Sequence, residues 1–153
     1  MTSAAAALEQ ATFELLGGWV SSVPEPAARV LLAEHALHHA WHARLWRERV
    51  PEAVGLDLAG GQMSDGPQPL IVTLLARVAE LSGEGPVNTV DRLTATSVAL
   101  AGDRAAAYEA VRLACSPASD GPVLRVLTLV TEDQRRHRAE AVALLAGLHP
   151  GQR

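Results

Sequence analysis

The chain has 153 residues, enough for one proper hydrophobic core and too few for two ordinary domains, so residues 1–153 read as a single domain. Hydrophobic residues make up 48% and aromatic residues only 3%, with alanine and leucine supplying most of the apolar content, which interlocking helices use and β-sheets generally do not. A formal net charge of −4, with no basic cluster beyond "RRHR" at 135–138, argues against nucleic acid as a partner.

Proline and glycine divide the chain into five helical segments, and the expected class is all-α. The first, Ala5 to Ser21, turns Leu8, Thr12, Leu15 and Trp19 inward on a helical wheel, with Glu9 and Glu14 facing elsewhere. Its start has no early positive charge, and the two glutamates break what would be a signal-peptide core. No apolar run reaches the roughly eighteen residues a membrane span needs. The single Cys115 cannot close an internal disulfide. A soluble, cytoplasmic protein with no membrane partner is the expectation.

The second segment, Glu25 to Arg49, carries "AEHALHHAWHARLW" (Ala33 to Trp46). Four of the chain's six histidines stand here: His35, His38, His39 and His42. They share one arc with Leu31, Leu32, Leu45 and Trp46, so they sit on the core-facing stripe. The third segment, Gln68 to Ser82, is short and apolar and belongs to a connection. The fourth, Val87 to Cys115, has the inward row Leu93, Ser97, Leu100, Arg104, Ala107 or Tyr108, and Val111. In the last, Pro122 to Leu148, the row Val123, Val126, Val130, Asp133, His137, Ala141, Leu144, Leu148 is joined by Leu127 and Gln134, with Asp120 or Ser119 as candidate cap.

Helices of similar length that pack antiparallel bring their midpoints together, so Thr12, His35, His38, His39, His42, Arg104, Asp133, Gln134 and His137 are expected to meet as a polar centre. Buried polar groups must bond to one another, to water or to an ion. Arg104 is expected to answer Asp133 as a buried ion pair, while Asp133 either orients His137 or pairs with a histidine of the second helix. Crowding should depress the histidine pKa values. Trp41 and Trp46 read as packing or interface residues, and Cys115 has no activating base.

The stretches Pro24 to Glu52 and Ser116 to Leu145 resemble actinobacterial proteins described as ferritin-like, and the resemblance runs over nearly the whole chain. It implies an antiparallel four-helix bundle with a short extra helix before the third long one. Di-metal members of that family use a Glu-x-x-His pair on each of two helices and one glutamate from each of the others. Here Leu37 follows Glu34 at that spacing, Gln134 precedes His137, and Thr12 and Arg104 stand where glutamates belong. An arginine there opposes a metal cluster.

The expected function is therefore a binding or protein-interaction module that has lost di-iron chemistry, working as a homodimer or with another protein, and with no cofactor. The apolar stretch Pro69 to Gly83 is the candidate cover for a neighbouring subunit. The alternative is a metal-dependent oxidase or hydrolase holding zinc or iron in the histidine-rich core. "RRHRAEAVALLAGL" (Arg135 to Leu148) resembles the closing helix of DinB-like bundles, which hold one metal with three histidines. His38, His42 and His137 are then the candidate ligands.

Overall fold

The computed structural model describes residues 1–50, 68–83 and 85–148, which form helices joined by short turns, with no strand among them. The helices are α1 (Thr2–Val20), α2 (Pro26–Arg47), α3 (Gln68–Gly83), α4 (Thr89–Leu93), α5 (Ala101–Ala114) and α6 (Gly121–Leu148), with a π-helical stretch, Thr94–Leu100, joining α4 to α5. Each expected segment is present, with ends shifted by a few residues.

Local chemistry accounts for the boundaries. Pro26 occupies the first turn of α2, where its missing N–H costs nothing, and Arg44 and Arg47 in the last turn face the negative end of the helix dipole. The Asn88 side chain accepts from the Asp91 N–H at 2.8 Å and caps α4. The expected cap of α6 is corrected: Asp120 turns its carboxylate back to the Ser116 N–H at 2.8 Å, closing the preceding turn instead. His149 lies outside the described residues, as does most of the glycine-rich stretch Gly60–Pro69.

Paired side chains give the directions of the helices. His35 meets Glu140, His38 meets His137 and His42 meets Asp133, so numbers rise along α2 as they fall along α6, and the two run antiparallel. Glu9 reaches both His39 and Tyr108, which sets α1 against α2 on one side and α5 on the other. Helix α3 packs on α1 and α5.

The core has two apolar ends. One gathers Leu8, Leu15, Trp46, Ile71, Leu74, Leu100, Tyr108, Leu127 and Val130; the other gathers Leu16, Val23, Ala28, Leu32, Ala36 and Leu93. Between them, at the helix midpoints, lies the polar layer. The π stretch borders this layer: the Ala101 N–H reaches back five residues to the Thr96 carbonyl. That wider turn, which the apolar periodicity did not foretell, keeps Ser97, Leu100 and Arg104 buried on one face across the junction.

Candidate metal centre

Every residue expected at the centre is there, and α1 adds one that was not. Glu9 is fully buried, contrary to the expectation that it faces away. Helix α1 packs on α2 and α3, and its Glu9 meets Tyr108 and Arg104 of α5, so its buried arc is wider than one stripe. Ala5, Glu9, Thr12 and Leu16 form a second inward row. The signal was a charged residue interrupting that row at helical spacing.

Glu9 organises the cluster. Its Oε2 accepts from His39 Nδ1 at 2.5 Å and lies 3.8 Å from Arg104 Nη1 and 3.6 Å from His42 Nδ1. Its Oε1 accepts from the Tyr108 hydroxyl at 2.5 Å and from Gln134 Nε2 at 3.3 Å. The expected Arg104–Asp133 pair is thus replaced by Arg104–Glu9. Asp133 is drawn instead to His42 Nε2 at 3.0 Å and to Arg136 at 2.9 Å, because it stands on the α2-facing edge of α6 while Arg104 reaches α1. The alternative in which Asp133 pairs with a histidine of the second helix is the one observed.

One protonation pattern satisfies most of these contacts. With a proton on Nδ1, His39 donates to Glu9 and accepts from Arg104 at Nε2, 3.3 Å away. With a proton on Nε2, His42 donates to Asp133, leaving the Nδ1 lone pair pointed toward Glu9. That atom is buried and has no hydrogen-bond partner among the described residues.

A second histidine group adjoins the first. The His137 ring stacks on His35 and His38 at centroid distances of 4.0 and 4.8 Å. Its Nε2 is hydrogen-bonded to His38 Nδ1 at 2.6 Å. His35 Nε2 donates to Glu140 at 3.0 Å. Glu140 lay on no inward row, and it reaches the centre from the rim of α6.

The electrostatics follow from burial opposed by partners. Burial disfavours the Glu9 carboxylate, but His39 and Arg104 outweigh it and hold the group well below the ordinary value. Burial pulls His39 down to about 4 and His137, also repelled by the surrounding imidazoles, to about 2. Burial lowers His35 too, against the pull of Glu140. His42 departs from the expected depression: burial lowers it, yet the nearby Glu9 and Asp133 carboxylates win and raise it. Burial raises Tyr108 well above its usual value, so the phenol stays a donor. Cys115 is raised by burial, away from the reactive thiolate range.

Among the described residues, one group of ligand-bearing side chains converges closely enough to share an ion: Glu9, His39 and His42, with donor atoms within 4.8 Å of one another. The expected set His38, His42 and His137 does not converge in this way, because His137 spends its Nε2 on His38 while His42 turns toward α1. Tetrahedral ligands about 2.05 Å from zinc sit about 3.3 Å apart. The observed 3.6 Å between Glu9 and His42 fits that spacing, whereas the 2.5 Å Glu9–His39 contact must open by less than an ångström and His39 must release its Nδ1 proton to solvent as the ion enters. Behind His42, Asp133 supplies the carboxylate that orients a ligating imidazole. The donor set suits one divalent ion, and among the described residues the centre offers no pair of bridging carboxylates.

Beside His39 lies a cavity of about 20 Å³, bordered by Thr96, Ser97, Arg104, Gln134 and His137, large enough for about one water-sized group. No protein-family profile, curated protein or solved structure matches the chain. No helix of the described residues is long and apolar enough to cross a membrane.

Proposed function

We propose that this chain is a metal-dependent protein of ferritin-like architecture, a helical bundle whose core holds one divalent late transition metal on Glu9, His39 and His42. The observation that carries the reading is His42: its Nε2 is committed to Asp133, and its Nδ1, buried and without a hydrogen bond among the described residues, faces a carboxylate oxygen 3.6 Å away. Two lone-pair atoms turned toward one another in a dry interior repel unless a proton or a cation lies between them. A divalent cation meets the same attraction that raises the His42 pKa. Two imidazoles and one carboxylate suit zinc or ferrous iron and leave coordination positions for a small ligand, the arrangement of metal hydrolases and non-haem oxygenases. Arg104, 3.8 Å from the same carboxylate, weakens the site and favours an exchangeable ion.

The second reading is a metal-free binding module acting as a homodimer. It is favoured by Arg104, which neutralises Glu9 without a metal, and by Val30, Leu37 and Trp41, exposed along the outer face of α2. Elemental analysis and zinc titration of the untagged chain separate the two. One equivalent of metal per chain, lost in Glu9→Gln and His39→Ala, is the expected result. No metal uptake by a folded wild-type chain refutes it.

A further inference from the structure

We propose that the cleft between α5 and α6 is a ligand site for a small monocarboxylic acid with an apolar body, and that it is the approach to the polar centre. The cleft encloses about 330 Å³, within the range of small-molecule sites and between helices of a bundle, where such sites recur. Its walls are Ala101, Ala105 and Leu127; its floor is Tyr108 and Gln134.

The floor ties the cleft to the centre. Tyr108 and Gln134 are the two residues that hold Glu9 Oε1, and both are buried. Gln134 and Ala101 also line the small cavity beside His39, so these two side chains stand between the outer cleft and the inner space. Gln134 Oε1 is buried and has no partner among the described residues, leaving an acceptor free at the boundary. The inner cavity admits a group of about one water's size. A larger ligand therefore keeps its body in the outer cleft, its carboxylate at the rim, and presents only its distal end inward.

The rim selects the charge. Arg112 is held by Glu109 through two hydrogen bonds of 2.7 and 2.5 Å, and Arg135 by Glu132 at 2.6 Å. Arg138 makes no ion pair among the described residues. Among the described residues, the rim thus has one uncompensated positive charge above an apolar wall. A monoanion with a hydrocarbon body meets both features, and the planar guanidinium fork matches a carboxylate. A phosphate, with more charge and no apolar body, matches neither as well.

The role as an approach rests on the metal reading, whereas ligand binding does not, and the experiment separates the two. Calorimetric titration of the full chain, metal-free and zinc-loaded, uses octanoate, 1-octanol and inorganic phosphate as probes. Octanoate should saturate one site and bind about tenfold more tightly than octanol, with phosphate weaker still. Arg138→Gln should reduce octanoate to the octanol level. Ala105→Trp, which fills the cleft from an exposed position, should abolish binding while zinc uptake and the thermal transition stay unchanged. Octanoate no tighter than octanol, phosphate tighter than octanoate, or Arg138→Gln without effect overturns the proposal. Zinc uptake without octanoate binding removes the cleft alone; octanoate binding without zinc uptake removes the metal reading alone.

Discussion

Replacing Arg104 by methionine removes the guanidinium that faces Glu9 and strands a fully buried carboxylate. Opposite charges 3.8 Å apart attract by about 4 kcal/mol at an effective dielectric constant of about 20. Breaking a buried pair by removing one partner typically costs about 3–5 kcal/mol, the same range. The remaining partners of Glu9, His39 and Tyr108, keep the carboxylate hydrogen-bonded, so its loss is electrostatic and not one of an unsatisfied acceptor. Urea unfolding of the metal-free chain, with chelator present, should therefore show Arg104→Met less stable by about 3–4 kcal/mol. Glu9→Gln in the same background removes the stranded charge and should restore about half of that loss or more. Zinc should stabilise Arg104→Met more than the wild type, because an added cation takes over the neutralising role. Additive effects of the two substitutions, to within about 0.5 kcal/mol, would refute the pairing, and so would full coupling of Arg104 to Asp133 instead.

The histidines set a pH dependence. His39 and His137 have pKa values lowered to about 4 and about 2, so the unfolded chain takes up protons first as pH falls through the free value of about 6.5. Their contribution to stability is full above that value and is lost below it. Two imidazoles kept neutral cost about 3 kcal/mol between pH 6.5 and pH 5, and lowered His35 adds in the same direction. His42, raised, works oppositely, stabilising at low pH and losing its effect as pH rises through its folded value. Denaturation midpoints of the metal-free chain should fall from pH 7 to pH 5, and a flat or rising profile contradicts the buried, neutral histidines. Tyr108→Phe deletes the hydrogen bond to Glu9 Oε1 and should cost about 1.5–3 kcal/mol, the usual value for a bond to a charged group. If Glu9 ligates zinc, the same change should weaken zinc binding by about 10-fold or more, as loss of a ligand's outer hydrogen bond does, and an unchanged affinity would separate Tyr108 from the site.

The helices and their inward faces were legible in the amino-acid sequence because both are local. A 3.6-residue period of alanine, leucine and valine, punctuated by proline and glycine, states where a helix runs and which side it buries. That period placed His35, His38, His39, His42, Arg104, Asp133, Gln134 and His137 on inward faces, and the rule that antiparallel helices of similar length meet at their midpoints put them at one level of the core. It did not reveal the π turn at Thr94–Leu100, which adds a residue without interrupting the apolar spacing. Partner choice was beyond it as well. Arg104 has a long side chain that can answer a carboxylate on either flanking helix, and only the packing of α1 between α2 and α5 brings Glu9 to it and leaves Asp133 to His42. The second inward row of α1 exists because three elements close on that helix. The number of neighbours around a helix is a property of the assembled bundle, and no periodicity within one segment records it.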